Sequence, residues 1–134
     1  MSVLFDQASL MERIGHDEHV LRELVEMFLD LQPQRMNELA LAVASDDLAA
    51  ARSRAHTLAG AFRSVSMASL GDLAKALENA ASAEDLGECR NVFLELDEAF
   101  AHVCEELEAL QEGWTAGAAA TRPVAESAAV KAAA

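Results

Sequence analysis

Aromatic residues and proline are scarce in this 134-residue chain. Aromatic residues make up 4% of it, tyrosine is absent and there are two prolines, whereas 52% of the residues are hydrophobic, with alanine and leucine predominating. Strands favour β-branched and aromatic side chains, and helices favour alanine and leucine. The composition therefore predicts an all-α protein. The length favours one domain, with enough residues to bury a core without disulfides or metals.

Positive charge is also scarce. The chain has 10 lysines and arginines against 23 aspartates and glutamates, which gives a formal net charge of −13. Such a surface repels nucleic-acid phosphates and anionic lipids. We therefore expect no nucleic acid and no membrane as partners, and favour a protein partner with a basic rim.

Long apolar runs and cysteines are the last notable absences. No run of about 18 apolar residues is present, so we expect no transmembrane helix. Residues 1–6 lack a basic segment followed by an apolar one, so we expect no secretory signal. Cys89 and Cys104 are predicted to lie on one helix, ~22 Å apart, which is too far for a disulfide. Reduced thiols predict a cytoplasmic protein.

Apolar residues at spacings of three and four predict the first two helices. Asp6 is expected to cap a short lead helix that ends at Gly15, and Asp17 is expected to begin a long second helix. Pro33 lies inside that helix, where we expect a kink rather than a break because the apolar stripe resumes in phase. The stripe consists of Val20, Leu21, Leu24, Val25, Phe28, Leu31, Met36, Leu39 and Val43.

Three further helices are predicted, separated by short polar segments. Residues 45–47 precede the third helix, Ser66 is expected to cap the fourth, and residues 82–85 precede a last helix that ends near Glu112. Short connections favour antiparallel neighbours. We therefore predict one domain over residues 1–112, an antiparallel up-down four-helix bundle with a short N-terminal lead helix, and expect a monomer. The Ala- and Gly-rich residues 113–134 are predicted to form a flexible tail.

His56 is the most informative residue of the third helix. On a helical wheel it lies about 130° from the centre of the apolar stripe, which places it toward solvent. A glycine one turn later costs about 1 kcal/mol against alanine inside a helix, so close approach by another protein is one explanation for it. Packing inside the bundle, or simple tolerance, is the other. The residues expected to surround His56 on one face are Arg52, Ser53, Ala59, Gly60 and Arg63.

The stretch AHTLAGAFRSVSMASLGDLAKALE, residues 55–78, resembles the histidine-containing phosphotransfer (HPt) domain family. The family pattern is His-x-x-Lys-Gly on a bundle helix, with alanine before the histidine. It is matched by Ala55, His56, Thr57, Leu58 and Gly60. Residues 5–29 resemble the lead and second helices of the family, and the whole resemblance covers about residues 5–110.

The resemblance implies a phosphorelay carrier. His56 would accept a phosphoryl group from a receiver-domain aspartate or a histidine kinase and pass it to another receiver, and Gly60 would leave room for the receiver loop. A neutral imidazole is a good nucleophile near pH 7. The carrier would need no cofactor of its own, because the receiver supplies Mg²⁺, and it would not turn over a substrate as an enzyme does. No nucleotide-binding motif is present.

Two departures from the family pattern open an alternative. Ala59 stands where the family has lysine, and Ser66-Met67 stands where it has Gly-Ala. We hypothesise that Arg63, together with Arg52, replaces the missing cation on the receiver-docking face. The alternative is a degenerate adaptor or inhibitor that binds receivers or a kinase through the same face without being phosphorylated. A third reading places the function in the tail or in oligomerisation.

The remaining histidines do not indicate a metal site. A di-iron bundle needs paired Glu-x-x-His motifs, and none of the four histidines follows a glutamate at that spacing. His16 and His19 lie near a helix start among acidic residues that favour the positive end of the helix dipole. We therefore predict no bound metal.

Overall fold

The computed structural model describes residues 4–121, with side chains through Thr115, and every regular element in that range is a helix. The prediction of an all-α protein is confirmed. The helices are α1 (Gln7–Arg13), α2 (Glu18–Ala44), α3 (Leu48–Ser64), α4 (Ala68–Ser82) and α5 (Leu86–Thr121).

The four long helices enclose one hydrophobic core. α3 packs against α2 and α4, α5 packs against α4 and α2, and the short α1 lies on α2. Phe28, Phe62 and Phe100, from α2, α3 and α5, meet in this core with ring centroids 5.8 to 6.1 Å apart. Three of the few aromatic side chains thus hold three of the four helices together.

The three connections between long helices share one backbone geometry. Each has three residues, and the middle one, Asp46, Ser66 or Glu84, has a positive φ of 57°, 62° or 56°. The next amide then donates to a carbonyl five residues earlier, as in Asp47 N–H to the Ala42 carbonyl. This is the Schellman motif, which satisfies the last carbonyls of a helix while reversing the chain. It explains why consecutive helices can pack side by side.

Aspartates begin the helices as the sequence predicts, except at α4. The carboxylates of Asp6 and Asp17 accept hydrogen bonds from amides in the first turns of α1 and α2. The prediction that Ser66 caps α4 is wrong, because Ser66 is the positive-φ residue of its loop and Met67 holds the cap position without a side-chain bond. The Ser66 hydroxyl instead accepts a hydrogen bond from Arg13 at 2.9 Å.

α2 continues through Pro33 without a break, as predicted. The prediction that Leu31 belongs to the apolar stripe is wrong, because Leu31 is exposed and Gln32 is buried in its place. The buried positions run 28, 32, 36 and 39, so the spacing of three and four passes through the glutamine.

α5 extends further than the sequence suggested. It passes Glu112 and ends at Thr121, so the expected helix end is wrong. Trp114 packs against the core cluster, and the Arg22 guanidinium lies 5.1 Å from the centre of its ring. Alanine is the best helix former, which helps the helix continue past Gly113. The rest of the predicted tail, residues 122–134, lies outside the described residues.

Candidate functional site

The site lies where α3 and α4 pack along each other in opposite directions. His56 of α3 contacts Glu78 of α4, and Arg63, further along α3, contacts Asp72, which comes earlier on α4. This register follows from the tight loop between the helices. It brings the polar residues of both helices to one exposed surface beside the buried core.

His56 lies on the solvent side of α3, as predicted, with 72% of its side chain exposed. Its Nδ1 atom is 3.1 Å from Oε2 and 3.2 Å from Oε1 of Glu78. An ionised carboxylate only accepts hydrogen bonds, so Nδ1 carries the proton and donates it. In the neutral ring, the free lone pair is therefore on Nε2, on the far side of the ring from Glu78.

Glu78 is held in place from two sides. Its side chain is only 12% exposed, and Lys75 Nζ, one turn earlier on α4, is 3.5 Å from Oε1. Burial raises the pKa of Glu78, but the hydrogen bond from His56 and the positive charge of Lys75 outweigh it, so the pKa lies below its ordinary value of 4.5. Glu78 is thus an anion at neutral pH, fixed against the imidazole.

Arg63, about two turns after His56 on α3, also contacts α4. Its Nη2 atom donates to Asp72 Oδ1 at 3.1 Å. A Cβ added to Gly71 would lie 2.8 Å from Arg63 Cγ, so the absence of a side chain at Gly71 lets the arginine stem lie close to α4. The guanidinium is therefore directed by these contacts to Asp72.

Arg52, Ser53 and Gly60 are exposed together with His56 on α3. A Cβ built on Gly60 meets no atom within 4 Å, so nothing inside the bundle requires a glycine there. Of the two explanations that the sequence offers for this residue, packing inside the bundle is therefore excluded. Simple tolerance and approach by a partner both remain.

Ala59 does not belong to the exposed face. It is 3% exposed, and the prediction that it lies on the surface around His56 is wrong. The physical reason is that α4 covers this side of α3: the Ala59 carbonyl oxygen is 3.5 Å from the position of a Cβ on Gly71. The place where the HPt pattern has lysine is thus beneath α4.

Sequence reasoning missed Glu78 and Lys75 as site residues. A signal for them exists in the loop between the helices, because two helices joined by a tight reversal pair residues at similar distances from it. His56 lies ten positions before Ser66 and Glu78 lies twelve after it. Counting outward from residues 65–67 would have placed the end of α4 opposite His56.

Residues 4–121 were also compared with the requirements of a metal site, a membrane span and a disulfide. No three His, Cys, Asp or Glu side chains in that range are arranged to hold a metal ion. None of the helices described there has the length and hydropathy needed to cross a bilayer. Cys89 and Cys104 are both free, and burial, together with the charge of Glu108, raises the pKa of the Cys104 thiol to about 11.

The chain was compared with models of known protein families, and one of them matches. The family model of the Hpt domain matches residues 23–113, which is more than half of the chain and includes His56, Lys75 and Glu78. α1 and the first turn of α2, which the sequence resemblance had included, lie outside the matched range. No curated protein matches the chain. No solved structure matches it either.

Proposed function

The chain belongs to the Hpt domain family, whose members act in phosphotransfer within two-component signalling, and from this premise we propose that it is a phosphorelay carrier with His56 as its phosphoryl acceptor. The observation that carries the proposal is the contact between His56 and Glu78. An exposed imidazole whose Nδ1 is bound to a largely buried carboxylate presents Nε2 as a nucleophile in a fixed orientation. The proposed carrier is a monomer, and its fold is an antiparallel four-helix bundle that presents His56 on its surface.

The proposed transfer needs little chemistry from the carrier. Nε2 of His56 attacks the phosphorus of an aspartyl phosphate on a receiver, the P–N bond forms, and the P–O bond breaks with its electron pair remaining on the receiver carboxylate. The ring becomes cationic, and Glu78 stabilises that charge through the proton that stays on Nδ1. Transfer to the next receiver reverses these steps. Mg²⁺ belongs to the receiver, and no cofactor is assigned to the carrier.

The surface around His56 is the proposed docking face for a receiver domain or a histidine kinase. Arg52, Ser53 and Arg63 provide polar contacts, and Gly60 leaves open space one turn from the histidine. The two free cysteines agree with a reducing cytoplasm, which we propose as its location. The carrier turns over no substrate of its own.

Phosphotransfer to the full chain tests the proposal. Receiver domains from the source organism are phosphorylated with acetyl phosphate, the excess acetyl phosphate is removed, and the phosphorylated receivers are mixed with the chain. We expect acid-labile, base-stable phosphate on the wild type and none on His56→Gln. The matched control is His102→Gln, which removes another exposed histidine. Because His56 lies outside the core, His56→Gln should change the free energy of unfolding by less than about 0.5 kcal/mol.

The other outcomes separate the alternatives. Phosphate on the His56→Gln variant would place the acceptor elsewhere. A wild type that binds receivers and takes up no phosphate would be the adaptor or inhibitor. Absence of both binding and uptake would move the function to the tail or to oligomerisation.

A further inference from the structure

We infer that Lys75 of α4 is the cation that stabilises the phosphoryl group on His56, exchanging its contact with Glu78 for the phosphoryl oxygens when the group arrives. The inference rests on the proposed function and names one more residue of the same site. It differs from the expectation that Arg63 and Arg52 of α3 provide this charge.

The geometry places Lys75 one contact away from the imidazole. Lys75 Nζ is 3.5 Å from Glu78 Oε1, and His56 Nδ1 is 3.2 Å from the same oxygen. A lysine has a flexible four-carbon stem and three rotatable donors, so it can leave one oxygen for another nearby. Because 48% of the Lys75 side chain is exposed, the α3–α4 interface does not confine it.

The charge balance of the site requires such a cation once His56 is phosphorylated. A phosphoryl group brings about two negative charges. They arrive on the imidazole to which the Glu78 carboxylate is hydrogen-bonded, on a protein whose formal net charge is already −13. Two anions at close range disfavour each other unless a positive charge lies between or beside them. Lys75 already contacts one of the two.

Two of the neighbouring arginines have acidic partners, whereas Arg52 makes no contact with an acidic group within the described residues. Arg63 donates to Asp72, and Arg54 donates to Glu38 of α2 at 2.9 Å. For either to neutralise the phosphoryl group, it would first have to give up an acidic partner. Lys75 also has an acidic partner, Glu78, but that carboxylate is itself hydrogen-bonded to His56, so a lysine that leaves it remains beside the imidazole.

The register set by the His56–Glu78 contact adds a second argument. Because His56 faces Glu78 and the helices run in opposite directions, Lys75, three residues before Glu78, lies opposite Ala59, three residues after His56. Ala59 is buried and carries no charge. One turn from His56 and Glu78, the positive charge in the α3–α4 interface is therefore Lys75 of α4, and α3 contributes none there.

The test uses three variants of the full chain: Lys75→Met, which keeps a long side chain without the charge, Lys75→Arg, which keeps the charge, and the control Arg90→Ala. Arg90 is similarly exposed and pairs with Asp46, away from His56 and Glu78. We expect Lys75→Met to take up phosphate from a phosphorylated receiver on the order of tenfold more slowly, equal to about 1.4 kcal/mol. Lys75→Arg should recover most of the rate, and Arg90→Ala should stay within about twofold of the wild type.

A second measurement distinguishes a charge effect from a structural one without any receiver. The chain is phosphorylated on His56 with potassium phosphoramidate, and the phosphoryl group is titrated by ³¹P NMR. A nearby cation favours the dianion, so Lys75→Met should raise the pH midpoint of this titration, whereas Lys75→Arg and Arg90→Ala should leave it unchanged. The difference should shrink in 1 M salt, because exposed charges are screened.

The failures of the two proposals are distinguishable. Wild-type rates and an unchanged ³¹P midpoint for Lys75→Met would overturn the role of Lys75 and leave His56 as the acceptor. A wild type that takes up no phosphate from either donor would overturn the proposed function itself. Lys75→Met could also lower the melting temperature markedly. In that case a restored transfer rate in Lys75→Arg, together with a raised ³¹P midpoint in Lys75→Met, still supports the inference. If neither is seen, the inference is overturned.

Discussion

Three exposed histidines of this protein, His19, His56 and His102, have a carboxylate neighbour, and only His56 is held by it at hydrogen-bonding distance. His102 provides the comparison. His102 has 63% of its side chain exposed, and its Nδ1 is 3.9 Å from Glu105 of the same helix, whose side chain is 78% exposed. His56 is exposed to a similar degree, but its carboxylate comes from the next helix, is largely buried and lies 3.1 Å away.

The difference lies in the carboxylate rather than in the histidine. Glu105 is surrounded by water and shares a flexible surface with His102, so their contact is one of many arrangements. Glu78 is fixed by packing between α3 and α4, by His56 and by Lys75. A largely buried carboxylate can accept a hydrogen bond and cannot donate one, so its contact with Nδ1 gives the ring one orientation and one tautomer. The predictions that follow test whether this contrast determines function.

The largest effect is expected from Glu78→Gln. The amide can still accept from Nδ1, but it carries no charge to stabilise the cationic ring. We expect phosphoryl uptake by His56 to slow about 10- to 100-fold, by analogy with the loss seen when the carboxylate behind a metal-ligating histidine is removed. The measurement is the rate of transfer from a phosphorylated receiver at fixed ionic strength.

Glu105→Gln is the matched control, because it removes the carboxylate beside His102, another exposed histidine, and changes the net charge equally. Its transfer rate should stay within about twofold of the wild type. Equal slowing in both variants would mean that overall charge, and not the contact with Glu78, sets the rate.

Gly60 sharpens the same contrast. The residue one turn after His56 is a glycine with open space around it, whereas Glu106 stands one turn after His102. Gly60→Leu should slow transfer on the order of tenfold, equal to about 1.4 kcal/mol of lost receiver binding. It should also stabilise the fold by up to about 1 kcal/mol, since leucine is the better helix former. Thermal melts and transfer rates check the two parts, and an unchanged rate with a raised melting temperature would show that Gly60 is merely tolerated.

The lowered pKa of Glu78 predicts a pH dependence of stability. A carboxyl group whose pKa is lowered by folding stabilises the protein above its ordinary pKa of 4.5, and this stabilisation is lost as the pH falls through the folded-state value. The wild type should therefore be more stable than Glu78→Gln at pH 7, and the difference should diminish below pH 4.5. Urea unfolding of both proteins from pH 7 to pH 3 measures it. A difference that is constant over this range would contradict the interaction with His56 and Lys75.

The sequence predicts this architecture well because the helix signals are local. Apolar spacing locates the helices, and Asp6, Asp17 and the aspartate at the end of residues 45–47 mark three of their beginnings. It predicts the loop conformations less well, because a positive φ at Ser66 or Glu84 is imposed by the reversal and not by a glycine. The extension of α5 depends in part on Trp114 meeting the core, which no local pattern shows.

The candidate site also contains features that one helix determines and features that depend on how two helices pack. The exposure of His56 follows from one helix alone, so the wheel predicts it. Glu78 and Lys75 depend on how α4 lies against α3, and the burial of Ala59 depends on that packing too. A single-helix argument therefore finds the proposed nucleophile and misses the residues proposed to orient and neutralise it.

The smallest effect is expected from Arg63→Ala. Arg63 lies on the same face as His56, about two turns along α3, and the HPt resemblance makes it a natural replacement for the lysine that Ala59 lacks. Its guanidinium is, however, bound to Asp72, and its stem lies against Gly71. Removing it leaves Asp72 unpaired, but both groups are exposed and lie about two turns from His56, so solvent screening keeps the effect at the imidazole small. If Lys75 is the working cation, Arg63→Ala should transfer within about twofold of the wild-type rate, whereas Lys75→Met slows on the order of tenfold. The two variants are compared at the same ionic strength, because both side chains are about half exposed and screening weakens both effects. A tenfold loss in Arg63→Ala with a normal rate in Lys75→Met would return the role to α3 and show that Arg63 leaves Asp72 for the phosphoryl group.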